Sequence, residues 1–526
     1  MKTFIRSTNW RLGKIVAIVC AIVLAIGTKS RLDAADAESN VNVQPNILFI
    51  FTDDHATSAI SAYGSKLIQT PNIDRIAREG MLFKNCFVTN SICGPSRAVI
   101  LTGRHSHKNG FIDNQSRFDG SQTTFPKLLQ KVGYQTAIIG KWHLVSDPTG
   151  FDHWDVLPGQ GSYYNPELLS QSKTPRGSNQ KRIVEGYTTD IITDLSLEWI
   201  TKNRDSSKPF LLMCQHKAPH REWAPGPEEL DLFRGESFPE PSTLFDDYAG
   251  RARGAAEQEM TIAHHMTALD LALVSPKNLT PTQRERYEGA FRSENEAMKK
   301  AQLSGEALVR WNYQRYVSNY LRCVAGVDRN IGRLLDFLDA SGLAKNTLVI
   351  YSSDQGFYLG EHGWYDKRWM YEESLRMPLV ARWPGVITPG SLDDHLVQNL
   401  DFAQTFLDIA HATTPAEMQG KSLLPLMQGK NPVDWRSSVY YHYYEFPQPH
   451  RVPSHYGIRT DQHKLIWYDS IGDWELFDLK NDPQELRSIH ADPNSAELFK
   501  NLRSQLLKAR KTAQDNTGQP FPIDEM

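Results

Sequence analysis

Asn46-Ile47-Leu48-Phe49-Ile50-Phe51-Thr52, followed at once by Asp53-Asp54-His55, is the stretch that decides the fold. A short apolar run bounded by polar residues reads as a strand buried on both faces. Acidic residues just past the carboxyl end of such a strand stand where open α/β sheets bind their ligands. The same grammar recurs. Gln135-Thr-Ala-Ile-Ile-Gly140 precedes Lys141-Trp142-His143, Pro209-Phe-Leu-Leu-Met-Cys214 precedes Gln215-His216, and Thr347-Leu-Val-Ile-Tyr-Ser352 precedes Asp354-Gln355-Gly356. Helix-compatible stretches lie between these runs, at residues 73–78 and 316–338. The second carries apolar Leu321, Val324, Val327, Ile331, Leu334, Leu335 and Leu338 at helical spacing. The four runs together predict a mainly parallel α/β sheet flanked by helices, with its chemistry at one edge.

Two other regions differ in texture. Residues 225–311 are charged, Ala-rich and helix-prone at 251–260 and 281–301, which predicts a largely helical insertion within a catalytic domain of residues 45–430. From residue 431, Ser438-Val-Tyr-Tyr-His-Tyr-Tyr444, His455-Tyr-Gly-Ile-Arg-Thr460, His463-Lys-Leu-Ile-Trp-Tyr468 and Trp474-Glu-Leu-Phe-Asp-Leu479 alternate with Pro, Gly and Asp turns. A helical tail follows, so residues 431–526 read as a small antiparallel sheet with a helix packed on it.

The N-terminus has the order of an export signal: basic Lys2, Arg6, Arg11 and Lys14, twelve apolar residues from Ile15 to Ile26, then small residues at Ala34, Ala35 and Ala37. Twelve apolar residues fall short of the roughly 20 a spanning helix needs. The expectation is a signal over residues 1–35, cleaved near Ala35 to Ala37, with no stable membrane span and a periplasmic or extracellular product. Removing it takes away six basic residues and one acid, leaving 52 Lys+Arg against 60 Asp+Glu, a net charge of −8. A net acidic protein is a poor general polyanion binder, which argues against nucleic acid as a partner. Cys86, Cys93, Cys214 and Cys323 match no zinc motif and no dense disulfide framework.

Cys93-Gly94-Pro95-Ser96-Arg97, continued by Ala98-Val99-Ile100-Leu101-Thr102-Gly103-Arg104, resembles the C-x-P-S-R-x-x-x-L-T-G-R element of the formylglycine-dependent sulfatases. The resemblance extends from about residue 46 to 487, and implies an alkaline-phosphatase-like fold with a smaller C-terminal subdomain. It also implies that a maturation enzyme, of the formylglycine-generating or radical type, oxidises Cys93 to an aldehyde. A Ser or Cys nucleophile would keep the sulfate in a stable covalent product, whereas an aldehyde hydrate has a second hydroxyl whose deprotonation expels it.

Carried over by position, the resemblance makes Asp53, Asp54, Asp354, Gln355 and residue 93 ligands of a Ca²⁺, a hard cation that takes six to eight oxygens. Arg97 would pair with the hydrate and a sulfate oxygen. Lys141 would bridge sulfate and aldehyde, and His143 would accept the proton that frees the sulfate. His216 would protonate the leaving alcohol, and Lys367 would clamp the sulfate. His220 and His55 have the weaker claims. The stretch 353–373 and Tyr440-Tyr-His-Tyr-Tyr-Glu445 are most similar to bacterial N-acetylglucosamine-6-sulfatase-type enzymes, whose substrates are sulfated glycans. Glu361, His362, Asp366, Arg368 and Trp369 are candidates to contact the sugar, the Trp as an apolar platform, with His442, His450 and Arg451 closing the pocket from the C-terminal side. Two other functions stay open on the sequence: a phosphodiester or phosphonate hydrolase of the same superfold, and a non-enzymatic sulfoglycan-binding protein with Cys93 unmodified.

Overall fold

Ile47, Leu48, Phe49 and Ile50 are wholly buried, and the strand they form, Asn46–Thr52, runs through the middle of a ten-stranded sheet. The computed structural model describes residues 44–172, 179–447 and 449–522. The expected signal segment and its cleavage site lie outside them. Across the sheet the order is Ser391–Asp393, Met81–Phe83, Leu379–Arg382, Thr347–Ser353, Asn46–Thr52, Phe210–Gln215, Gln135–Lys141, His153–Leu157, Glu167–Ser170 and Gln180–Ile183. The central strands, from Thr347–Ser353 to His153–Leu157, are parallel, so their carboxyl ends share one edge. Helices cover the sheet. The longest described, Gly305–Ala340, buries Leu321, Val324, Val327, Ile331, Leu334, Leu335 and Leu338, the apolar stripe expected from the spacing.

Helix is scarcer than expected between residues 225 and 311. It is confined to Gly254–Glu257, Pro281–Ala301 and the start of Gly305–Ala340, and turns make up most of the rest. Local bonds explain the loss of helix around residues 251–260. The Arg251 guanidinium is held by Asp246 and His362, and the Ala252 N–H donates to Glu475 instead of entering a helical ladder. The strands Ser438–Tyr443, His455–Thr460, His463–Tyr468 and Asp473–Asp478 pair antiparallel in sequence order, and helix Ala496–Ala513 buries Leu502 and Leu506 on them. The four described cysteines are buried and unbridged. No helix among the described residues is long and apolar enough to cross a membrane.

Candidate active site

Strand register decides which side chains meet. Thr52 lies opposite Ser353, Phe51 opposite Gln215, and Gly140 also opposite Gln215. Asp53-Asp54, Asp354-Gln355 and Lys141 therefore leave the same edge side by side. Gly140 permits this closeness: its φ is +110°, and a Cβ there would sit 1.9 Å from the Gln215 carbonyl oxygen.

Cys93 opens helix Cys93–Thr102, which Gly103 ends in the left-handed conformation. The helix dipole makes such a start favourable to negative charge, although the Gly94 N–H is already given to Asn114 Oδ1 at 3.0 Å and Pro95 has none to give. One turn on, Arg97 binds three strand ends together. Its Nε and Nη2 donate to Asp354 Oδ2 at 3.2 and 2.9 Å, and its Nη1 to the Lys141 carbonyl at 2.9 Å and Gln215 Oε1 at 2.7 Å. Burial pushes the Cys93 thiol up to about 12, with Lys367 pulling the other way. An unmodified Cys93 is thus a poor nucleophile at neutral pH, because the thiolate is the reactive form.

Asp53, Asp54 and Asp354 offer carboxylate oxygens within 4.8 Å of one another, all buried. Lys141 bonds Asp53, and Lys367 Nζ bonds Asp54 Oδ2 at 2.7 Å. The Gln355 side-chain amide also donates to Asp54. Burial raises the Asp54 carboxyl to about 6 despite Lys367. Asp53 Oδ1 and Gln355 Oε1 are buried with no hydrogen-bond partner among the described residues. Crowded carboxylates with unsatisfied oxygens suit a cation, and an all-oxygen donor set suits a hard one.

The histidines sort differently from expectation. His216 extends the ladder, its N–H donating to the Phe51 carbonyl, so its ring falls on the Cys214 side of the sheet. There Nε2 lies 3.7 Å from Cys214 Sγ, and burial lowers the ring to about 4. His216 is a core residue. The chain then turns through Lys217-Ala218-Pro219 and delivers His220 instead, with Asp53, Cys93 and His220 all within 4.8 Å and His220 Nε2 3.8 Å from Asp54. Burial, with Lys141, Lys367 and Lys217 nearby, holds His220 well below its ordinary value. His143, at φ +56°, keeps a buried Nδ1 with no hydrogen-bond partner among the described residues, and its carbonyl lies against Gly94. His55 is wholly buried and bonds Tyr351.

Of the residues expected to meet a sugar, two lie at the site. Asp366 and Arg368 are paired to each other beside Lys367, and His450 Nε2 reaches Asp366 at 3.2 Å. His362 and Trp369 turn inward, whereas Glu361 is partly exposed and Arg451 is exposed. His362 is buried with Nδ1 2.9 Å from both Asp246 and Arg251. Trp369 is 0% exposed and stacks on Trp364 at 5.1 Å and His455 at 5.9 Å, so it is core and no platform. Glu361 accepts from the Leu359 N–H at 2.6 Å, and His442 sits apart on Asp515 at 2.6 Å. Gln160, which accepts from Lys141 at 2.5 Å, has no role in the sequence reading, and Gln215, marked there only as a strand-end residue, accepts from Arg97. Gln215 follows an apolar run and carried the strand-end signal; Gln160 carried none.

Buried carboxylates, lysines and a helix start are gathered at the carboxyl edge of a parallel sheet, an arrangement suited to holding a cation and an anionic group together. The comparisons give the class. A sulfatase family model matches residues 45–412, and a model of the N-sulphoglucosamine sulphohydrolase C-terminal region matches residues 360–512. The chain belongs to the sulfatase family, and it is a sulfuric ester hydrolase. It is 47% identical over 518 residues to the N-acetylglucosamine-6-O-sulfatase of Bacteroides thetaiotaomicron, spanning 94% of this chain and 91% of that one. A solved structure with its substrate, D-glucosamine-2-N,6-O-disulfate, superposes with a TM-score of 0.88 at 47% identity, covering 90% of this chain and 99% of the other. A phosphonate monoester hydrolase from Silicibacter pomeroyi shares the fold alone, at TM-score 0.68 and 20% identity over 90% of this chain and 96% of its own.

Proposed function

We propose that this sulfatase removes the 6-O-sulfate of N-acetylglucosamine, or of a closely related glucosamine, from a glycan. The observation that carries this is the 47% identity to an N-acetylglucosamine-6-O-sulfatase over 94% of the chain. Cys93 is the residue to be oxidised to formylglycine, and Asp53, Asp54, Asp354, Gln355 and residue 93 are the ligands of a calcium ion. When present, the aldehyde hydrate supplies a nucleophile and the ion a fixed positive charge.

The protein's own groups do the rest. Lys141 and Lys367 hold sulfate oxygens and oppose the charge that builds on them; Arg97 keeps Asp354 and the Lys141 strand end in place for this task. His220 gives a proton to the leaving oxygen. Burial and then its cationic neighbours hold the ring below its ordinary value, and an entering anion offsets the neighbours and favours the protonated form. His143 Nδ1, with no competing partner among the described residues, takes the proton from residue 93. Asp366, Arg368 and His450 contact sugar hydroxyls. The residue 1–35 segment directs export, which N-terminal sequencing of the mature protein checks.

The test is an assay of matured enzyme on defined 6-, 4- and 2-sulfated saccharides, with aryl sulfate, aryl phosphate and aryl phosphonate alongside. Preference for the 6-sulfated glucosamine is the expected result. Preference for phosphate or phosphonate, or for 4- or 2-sulfate, overturns the assignment.

A further inference from the structure

Beside His220 a cavity of about 530 Å³ opens towards the 225–311 region, lined among others by Gln160, Lys217, Arg221, Lys277 and Tyr287. Because His220 and Gln160 form part of its wall, it adjoins the point where the leaving oxygen is released. Lys217 is the unusual group in it. Its side chain is buried, with the residue 4% exposed, yet among the described residues it makes no ion pair within 4 Å. Its ammonium donates to the Arg221 carbonyl at 3.1 Å and lies 4.7 Å from the centre of the Tyr163 ring. A buried cation served only by a carbonyl and a ring face is poorly compensated, since desolvating a charge costs several kcal/mol unless it is paired. Arg221 is no substitute, because Asp270 takes its guanidinium at 2.6 Å. The wall carries Lys217, Arg221 and Lys277 against one acid, Glu222.

Resting on the glycan-sulfatase assignment above, we propose that this cavity takes a second anionic substituent of the glycan, a sulfate or carboxylate group, and that Lys217 is the residue that selects for it. The group sits either on the sugar whose ester is cleaved or on the residue joined to it. No bond to Lys217 forms or breaks; an anion replaces the water that the ammonium otherwise faces. The two N–H donors that Lys217 does not give to Arg221 are available to it. Burial lowers the lysine to about 8, and an anion beside it favours the charged form.

Three saccharides decide the matter: N-acetylglucosamine-6-O-sulfate, glucosamine-2-N,6-O-disulfate, and N-acetylglucosamine-6-O-sulfate joined to a uronic acid. In matured Lys217→Met, kcat/KM should fall about 10- to 100-fold on a saccharide bearing the second anion, mostly through KM. Any change on the singly sulfated sugar, through the effect of Lys217 on His220, is shared by all three saccharides, so the reading is the ratio of kcat/KM between doubly and singly anionic sugars, which should fall at least about tenfold. Loss on the disulfate alone places the anion on the cleaved sugar, and loss on the uronate alone places it on the neighbour. Lys217→Arg should restore much of the preference. Equal loss on all three, or loss on none, overturns the proposal. Should Lys217→Met not fold, Lys217→Gln, which still donates to the Arg221 carbonyl, is read in the same way. If the wild type cleaves none of the three, the 6-O-sulfate assignment fails instead. Calorimetric titration with the same saccharides then decides: Lys217-dependent affinity confined to those with two anions supports the proposal, and its absence overturns it.

Discussion

The floor of this active site and its rim are built by opposite means. Asp53, Asp54, Asp354, Gln355 and Lys141 stand at strand ends whose register fixes them to one another, and all are buried. Asp366 ends the two-residue strand Tyr365–Asp366, Arg368 lies on the loop after it, and His450 and Arg451 lie on a turn, each at positive φ, from +52° to +92°. Left-handed backbone at non-glycine residues persists where the surrounding structure enforces it. The difference separates two tasks. On the proposed assignment, chemistry common to every sulfate ester would rest on the rigid ladder, and discrimination among sugars on loops that can change without disturbing it.

The hardest blow to the floor is at Cys93. Cys93→Ala should leave the fold intact and lower sulfatase activity by at least about 10⁴-fold, as expected for a lost nucleophile. In active wild type, the peptide containing residue 93 should weigh about 18 Da less than the thiol form. A fully active preparation whose peptide holds only unmodified Cys93 would refute the nucleophile.

Removing the cation tests whether floor and stability are one thing. Chelation, or Asp354→Asn, should abolish most activity and lower Tm by about several degrees together, because a ligand bound only by the folded state stabilises it. Activity on aryl and sugar sulfates should fall alike, since the lost charge serves the sulfate common to both. A chelated, metal-free enzyme that retained full activity would remove the ion from the mechanism.

His216 and His220 sharpen the comparison, being four residues apart on opposite sides of it. His220→Ala should cost about 10²–10³-fold on a sugar sulfate, whose alkoxide needs a proton, and much less on nitrophenyl sulfate, whose phenolate leaves unaided. His216→Ala should lower Tm and leave the ratio of kcat/KM on the two substrates unchanged. Reversal of that pattern would return the acid role to His216.

Sequence legibility follows the same divide. The floor could be read because Asp53-Asp54, Lys141 and Asp354-Gln355 each stand at the end of an apolar run, and parallel strands bring such positions together whatever lies between them. The rim could not. Asp366 meets His450 across 84 residues with no local signal. His362 and Trp369 carry chemistry common at sugar sites, but their segment turns both into an aromatic cluster with Trp364 and Tyr371. Motif position points to His216 rather than His220, whereas strand alternation puts the His216 ring on the Cys214 side of the sheet. The 225–311 composition suggested helix, whereas side-chain bonds to distant residues hold much of it in turns.

The smallest effect concerns the scaffold under the rim. Asp246 joins Arg251 and His362, tying the 225–311 region to the segment that carries Asp366 and Lys367. Burial works against its charge, but bonds from His362, the Tyr248 N–H and Arg251 hold its carboxyl down to about 2, below the ordinary 3.8. A carboxyl held low when folded stabilises the protein above its unfolded value, and that contribution is lost as pH falls from about 4 towards 2. Asp246→Asn should therefore melt about one or two degrees below wild type at pH 7, with the gap shrinking as melts are repeated below pH 4. Its kcat/KM on nitrophenyl sulfate should be unchanged, because the floor does not touch Asp246. A gap that stays constant down to pH 3 would mean that Asp246 acts through shape and hydrogen bonding, with its charge contributing nothing.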